Sequence, residues 1–288
     1  MKVYGFTFIR NAVLYDYPIV ESISSILPLC DEVIVAVGKS EDETLELIRS
    51  IPSDCIRIIE TEWDMSLREG GRVLAEETNK ALHHIPKEAD WCIYIQGDEV
   101  IHEKYHSNIL AAMKRYKDVR SVEGLLFKYL HFYGSYDFVG DSRKWYRREI
   151  RIIRNGLNIQ SYKDAQGFRI KNEKLNVKEI DAYIYHYGWV KPPEKQSEKI
   201  KNFLYHWHGD EYIDKNKPGD QFDYSQIDSL KVFQGSHPEV MNKRISQKNW
   251  TFDFDPTKKS FGLKNGLLYF IEKWTGIRIG EYKNYRKI

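Results

Sequence analysis

Two adjacent acids close an apolar run at Trp91-Cys92-Ile93-Tyr94-Ile95-Gln96-Gly97-Asp98-Glu99-Val100. A hard divalent cation held by one or two carboxylates keeps its other positions for water and substrate phosphate oxygens. Asp98 and Glu99 are therefore candidate cation ligands, although Gly and Asp are also ordinary turn residues and the set could be a plain solvated turn. Arg68 and Arg72 flank Gly70-Gly71, where guanidinium groups suit bidentate contact with phosphate and bare backbone amides at a helix start suit an anion. A simple loop accounts for that stretch equally well. His186 follows an apolar run, and a neutral imidazole can complete a divalent coordination sphere. A histidine at a strand end is more often only hydrogen-bonded.

These residues need strands and helices to bring them together. The apolar run before Gln96, bounded by Asp90, reads as a buried strand. In an open α/β sheet, ligands bind outside the carboxyl ends of the strands, which puts Asp98 and Glu99 on the rim of that crevice. Val3 to Ile9 reads as a first strand ending at Arg10-Asn11, making Asn11 a second rim residue. Pro18 starts a helix with Val20, Ile23 and Leu27 on one face, and Pro28 stops it.

The run Val33-Ile34-Val35-Ala36-Val37 has the β-branched character of a parallel strand covered on both faces, broken at Gly38. Ser40-Glu41-Asp42-Glu43 matches a capping box for a helix carrying Leu45, Ile48 and Ile51. Ile56 to Ile59 is a third strand, and a helix with Leu74, Thr78, Ala81, Leu82 and Ile85 follows. Such alternation predicts right-handed βαβ units and a mainly parallel sheet.

Beyond Glu99 the spacing predicts a helix with Ile109, Leu110, Met113 and Tyr116 inward, then a strand from Gly124 to Leu130. His131 to Asp137 looks like a site wall. Tyr129, Phe132, Tyr133, Tyr136, Trp145 and Tyr146 could stack on sugar rings or serve as packing. Arg147 to Arg154 reads as a half-exposed strand with its arginines in solvent, Tyr162 to Phe168 as a loop, and Val177 to Tyr185 as a strand that delivers His186. Pro192-Pro193 marks a boundary. After it come a helix with Ile200, Phe203, Leu204 and Trp207 on one face, a polar loop from Gly209 to Asp223, and a final amphipathic helix. That last helix carries Leu267, Phe270, Ile271 and Trp274, with Gly276 as its C-cap.

At 288 residues, 42% apolar and 30% charged, the chain has the composition of a globular protein. A formal charge of +2 gives no general argument for nucleic acid. The three cysteines, Cys30, Cys55 and Cys92, lack metal-type spacing and read as reduced core residues. No segment reaches the length of a membrane span, and the chain opens directly into a strand, so the expected location is cytoplasmic, with peripheral membrane contact compatible.

Four segments in order resemble the family 2 glycosyltransferases of GT-A type. Phe8-Ile9-Arg10-Asn11-Ala12 is similar to their first-strand segment. Glu32 to Thr44 resembles their second strand with its Ser40, Asp42 and Thr44 follow-on. Gly71, Ala75, Asn79 and Ala81 are similar to the helix before their metal motif, and Gln96-Gly97-Asp98-Glu99 stands in the place of Asp-x-Asp. The resemblance spans about residues 3 to 190. It implies a three-layer α/β/α sandwich with a mainly parallel central sheet, a glycosyltransferase domain over 1–190 and a mostly helical extension over 191–288.

It further implies a nucleotide-diphosphate sugar donor, a saccharide or lipid-linked hydroxyl acceptor, and a Mn²⁺ or Mg²⁺ ion on Asp98, Glu99 and His186. Arg10, Asn11, Val37, Gly38, Arg68, Arg72, Gln96 and Gly97 would contact the donor. Val37-Gly38 stands where relatives carry adjacent acids against the base, so the resemblance names no base. Gln96 replaces the first acid of the metal motif and offers hydrogen bonds without charge. For inverting transfer a carboxylate must take the acceptor proton. Asp164 lies in the loop where the resemblance places that base, and Asp141 is its rival. Two other readings stay open: a nucleotidyltransferase of similar fold, which would want a Gly-rich, Lys-containing loop after the first strand, and a non-catalytic sugar-binding protein with a degenerate metal site.

Overall fold

A computed structural model describes residues 1–67, 69–207 and 219–288. The first half of the chain forms β1 (Val3–Ile9), α1 (Ile19–Ile26), β2 (Glu32–Gly38), α2 (Thr44–Arg49), β3 (Ile56–Thr61), α3 (Arg72–His83), β4 (Trp91–Tyr94), β5 (Glu99–Ile101), α4 (His106–Tyr116), β6 (Gly124–Tyr133) and β7 (Ser135–Gly140). The second half forms β8 (Arg148–Arg154), β9 (Ile159–Tyr162), β10 (Gly167–Ile170), β11 (Glu173–Lys174), β12 (Asn176–Trp189), α5 (Pro193–Trp207), β13 (Leu230–Val232), α6 (Asn242–Ser246), α7 (Leu263–Thr275) and β14 (Arg286–Lys287).

The main sheet runs β3-β2-β1-β4-β8-β6, with β12 on the far edge of β6. The β3, β2, β1 and β4 strands are mutually parallel, and β8 lies antiparallel to both β4 and β6. Two reversals cancel, so β6 and β12 point the same way as β1, β2 and β4, and all five end on one edge of the sheet. The α/β sandwich with a mainly parallel sheet is thus the architecture expected from the alternation of strand and helix signals.

Strand alternation builds the layers. Val33, Val35, Val37, Trp91, Ile93 and Ile95 face one core with Ile19, Ile23 and Ile26 of α1, Ile48 of α2 and Ile109 and Met113 of α4. Phe6, Ile34, Ala36, Cys92 and Tyr94 face the other, where α3 and a small β11-β10-β9 sheet supply Ala81, Leu82, Ile159 and Phe168. Residues after 190 add β13 against β7 and β14 against β12.

Several local expectations change. The Trp91 to Val100 run is two strands, because the chain turns at Gln96 (Glu99 N donates to Gln96 O, 3.0 Å) and β5 pairs antiparallel with β12. No capping box forms at Ser40 and Glu43. Asp42 accepts from the Thr44 amide at 3.1 Å, while the Ser40 hydroxyl accepts the Asn11 amide at 3.1 Å. The loop expected over Tyr162 to Phe168 is present as the four-residue turn 163–166, which closes a hairpin of β9 and β10 with Lys163 and Ala165 at positive φ. Arg151 and Arg154 are buried instead of solvated, and Cys55 is exposed instead of core. The final helix ends at Gly276 in the left-handed region as expected, yet its apolar stripe faces outward. The polar loop expected from Gly209 lies largely outside the described residues. No described helix is long and apolar enough to cross a membrane.

Candidate active site

A cavity of about 490 Å³ opens at the edge where β1, β2, β4, β6 and β12 end. Its floor is Ile9 at the end of β1 with Arg10 and Asn11 just after it, and Gln96, Gly97 and Asp98 from the turn after β4. Its sides are His131 and His186, the β9–β10 hairpin with Asp164 and Gln166, and the loop carrying Lys144, Trp145 and Tyr146. Helix α5 closes it with Gln196, Lys199 and Ile200. Crevices in this position are the usual ligand sites of open α/β sheets, and the volume suits a small molecule.

Asn11 is held by exchange with the loop after β2: its amide bonds Ser40 and its side-chain oxygen accepts from the Glu41 amide at 2.9 Å. The left-handed backbone of Asn11 (φ 52°) turns the chain sharply at the rim. Arg10 donates to Lys39 O at 3.0 Å and lies 5.6 Å over the Trp63 ring. Gly38 admits that indole, because a Cβ there would run into it.

The turn bearing Asp98 is fixed from beneath. Arg151, wholly buried on β8, makes a two-pronged pair with Glu99 (Nε to Oε2 2.7 Å, Nη2 to Oε1 2.7 Å), and the Tyr129 hydroxyl adds 2.7 Å to Oε1. Burial opposes the guanidinium charge, but the Glu99 carboxylate holds it protonated. Arg151 also reaches Gln96 Oε1 at 3.5 Å, and Gln96 Nε2 lies 3.5 Å from Ala165 O, so the strand end and the hairpin share a link.

Asp98 projects into the cavity, and its own carbonyl accepts the Tyr187 amide at 2.8 Å. The Lys199 ammonium donates to Oδ2 at 2.9 Å and to Gly188 O at 2.9 Å. Burial works against the Asp98 charge, yet Lys199, His186 and Lys191 together hold the carboxyl below its usual range. Lys199 and the fully buried Lys191 stand 4.9 and 4.7 Å over the Tyr17 ring. Burial and the neighbouring Lys199 charge pull the Lys191 ammonium well below its ordinary value.

The two histidines are opposite each other on β6 and β12. His131 Nε2 donates to Tyr146 O at 2.8 Å, which leaves its Nδ1 to accept from His186 Nδ1 at 3.3 Å. The unprotonated Nε2 of His186 then points at Asp98 Oδ1, 3.7 Å away. Burial keeps both rings below their ordinary basicity. Two acceptors facing each other make a corner for a cation.

Of the expected ligands, Asp98 and His186 turn acceptor atoms toward one another in the cavity, and a divalent ion there would take the rest of its shell from water and phosphate. Glu99 is the correction: its oxygens are committed to Arg151 and Tyr129 in the core. No group of three or more His, Cys, Asp or Glu side chains among the described residues is placed to hold a metal alone.

Other expected residues scatter. Asp164 lines the cavity, and burial raises its carboxyl above the usual range. Asp141 does not reach it; Asp141 bonds Tyr269 and Lys273 and anchors α7 to the end of β7. Arg72 is exposed at the start of α3 and away from the cavity lining, Val37 is buried in the sheet, and Arg68 lies outside the described residues. Of the six aromatics, Trp145 and Tyr146 reach the cavity, while Tyr129 is buried beneath the turn and Phe132, Tyr133 and Tyr136 pack in the core.

Sequence reasoning missed Lys199, Gln196 and Arg151. Gln196, Lys199, Ile200 and Phe203 fall at i, i+3, i+4 and i+7, so a polar-led stripe one turn earlier than the apolar one was the available signal.

No family model matches the chain, and no curated protein matches it. Solved structures that align with it include Staphylococcus aureus TarS (16% identity, TM-score 0.44, 75% of this chain and 42% of that one). The 1–349 form of TarS in complex with UDP aligns at 16% identity and TM-score 0.42, over 75% of this chain and 69% of that one. A third is glucosyl-3-phosphoglycerate synthase from Mycobacterium tuberculosis in complex with Mn²⁺, UDP and phosphoglyceric acid (19% identity, TM-score 0.29, 45% and 43%). The chain thus spans less than half the length of the first of these.

Proposed function

We propose that the chain transfers a glycosyl group from a nucleoside diphosphate sugar to a hydroxyl acceptor, with inversion. The observation that carries this is the surrounding of Asp98: a carboxylate in a strand-end crevice, faced by an unprotonated imidazole nitrogen and an ammonium. That set suits a diphosphate, whose oxygens would meet Lys199 directly. A divalent ion held by Asp98 and His186 would act as a Lewis acid on the same oxygens.

Aromatic side chains of Tyr15, Tyr17, Trp63 and Trp145 give the cavity flat faces for a base and a sugar ring. Gln196, buried with its amide oxygen unpartnered among the described residues, is available to a donor hydroxyl. Asp164 takes the proton of the acceptor hydroxyl as its oxygen bonds to the anomeric carbon and the bond from that carbon to the diphosphate breaks. Its raised carboxyl makes it a stronger base than an exposed aspartate. A single displacement of this kind inverts the anomeric centre.

Thermal shift with uridine, guanosine, cytidine, adenosine and thymidine diphosphates, with and without Mn²⁺, tests the reading. One nucleoside diphosphate should raise the melting temperature, more so with metal, and Asp98→Ala should remove the effect. Response to triphosphates alone would replace the proposal with nucleotidyl transfer, and response to free sugar without any nucleotide would replace it with sugar binding.

A further inference from the structure

Helix α7 is amphipathic with its faces reversed. Its polar side docks: Tyr269 and Lys273 bond Asp141, and Glu272 accepts from Arg143 at 2.8 Å and from Arg278 at 2.8 Å. Its apolar side is in solvent. Leu263, Leu267, Phe270 and Trp274 lie within about 60° of one another around the helix at 3.6 residues per turn. Their exposures run from 64% at Leu267 to 98% at Leu263, with Trp274 at 94%. Ile277 (64%) and Tyr282 (75%) continue the patch past the C-cap. A contiguous exposed apolar surface rimmed by polar groups marks an interaction site.

Charge selects the partner. Residues 256–288 hold eight basic and two acidic side chains, and four of the basic ones, Lys259, Lys273, Arg286 and Lys287, pair with Asp141, Glu173 and Glu179 outside the segment. Both acids are turned inward and neutralised, Glu272 by Arg143 and Arg278 and Glu281 by Arg147 at 2.7 Å. Lys258, Lys264 and Lys283 remain exposed around the apolar stripe. A second copy of this basic segment would be repelled, whereas an anionic surface would be attracted. Trp and Tyr beside Leu and Phe, with lysines at the margin, is the composition of a helix lying in a membrane interface.

We infer that α7 and the turn after it dock the protein on an anionic lipid bilayer, with Leu263, Leu267, Phe270 and Trp274 entering the interface and the lysines contacting headgroups. The helix is braced on the cavity wall, since Arg278 donates to Trp145 O at 2.6 Å and Trp145 lines the cavity. The bilayer would therefore lie beside the catalytic crevice. The inference does not depend on the chemistry proposed for that crevice.

Co-sedimentation of the full chain with phosphatidylcholine vesicles, with and without phosphatidylglycerol, tests it at low and high salt. The chain should pellet with the anionic vesicles and be released by salt. Leu267→Glu combined with Trp274→Glu should lower partitioning at least about tenfold. Lys264→Gln and Lys283→Gln should each lower it about fivefold. All these side chains are exposed, so melting temperatures should be unchanged. Failure of the intact chain to bind anionic vesicles overturns the inference. So does sedimentation equilibrium showing a lipid-free dimer that the Leu267 and Trp274 substitutions dissociate, which would assign the face to a second copy.

Discussion

Replacement of Arg151 by Met probes the foundation of the crevice. Arg151 and Glu99 are both fully buried, so solvent screens neither charge, and the methionine roughly fills the arginine stem while deleting the guanidinium. Among the described residues, Glu99 would keep only the Tyr129 hydroxyl at 2.7 Å and the Gln96 amide at 3.2 Å against its charge. Breaking a buried pair from one side costs about 3–5 kcal/mol, because the partner is left as an uncompensated charge. At about 2–4 °C per kcal/mol for a chain of this size class, the melting temperature should fall by roughly 6–20 °C.

Urea denaturation followed by circular dichroism measures the loss, and a double-mutant cycle isolates its cause. Glu99→Gln alone should cost a similar amount, since it strands the guanidinium, while Glu99→Gln with Arg151→Met should recover most of it, to within about 2 kcal/mol of the parent. Below the melting range, Arg151→Met should also weaken nucleoside diphosphate binding about tenfold, because the turn that carries Asp98 loses its support. A single-mutant loss under about 1 kcal/mol, or strict additivity in the double mutant, would refute the account of Glu99 as a structural anchor.

Asp164→Asn should cut transfer at least about a hundredfold while leaving nucleotide-induced thermal stabilisation intact, and equal losses in both would remove Asp164 from the base role. Glu149, buried on β8, has its carboxyl pushed up to about 8 by burial, against the favourable Arg151 charge. A folded value above the unfolded one of about 4.3 means that its contribution to stability is full below about pH 4 and is lost as pH rises to about 8. Glu149→Gln should therefore melt higher than the parent at pH 8, with the advantage vanishing toward pH 4; a constant offset in differential scanning fluorimetry would contradict the assignment. At Gly188, an added Cβ would stand 2.6 Å from Asp98 Oδ2 and 2.7 Å from the His186 ring. Gly188→Ala should hence abolish metal-dependent nucleotide binding while the protein stays folded, as followed by calorimetric titration.

The fold was legible because its signals are local and repeated. β-branched runs at Val33 to Val37 and Ile56 to Ile59, separated by helices with clear stops at Pro28 and near Pro52, leave few arrangements besides a parallel sheet with crossovers. The crevice rule put Asp98 and Glu99 on the rim with Asn11; Asn11 and Asp98 do line the cavity, whereas Glu99 turns into the core against Arg151. What failed was the status of charges inside strands. Arg151 alternates with Ile150 and Ile152 as a solvated residue would, and only the antiparallel insertion of β8 between β4 and β6 brings it under Glu99. Pairing partners across a sheet are not written in either strand's own pattern.

Periodicity has a sharper limit in the helices. It reports that a helix has an apolar face without saying what that face meets, and the usual assumption that it meets the core is an inference from burial. In α5 the stripe led by Gln196 and Lys199 closes the cavity at the strand ends. In α7 the core contact is made by Asp141, Arg143 and Arg147 through hydrogen bonds and ion pairs, and the apolar face is left for something outside the chain. A helix held to its domain by charge and presenting hydrocarbon to its surroundings bears two separable energies. Acid that protonates Asp141, whose carboxyl Lys273 and Tyr269 hold below the ordinary range against burial, should loosen the helix from the domain as pH falls below about 4. Limited proteolysis between residues 255 and 263 should then accelerate without loss of the sheet's circular dichroism signal. Cleavage that tracks global unfolding instead would mean that α7 is held by packing, and the reading of its two faces would be wrong.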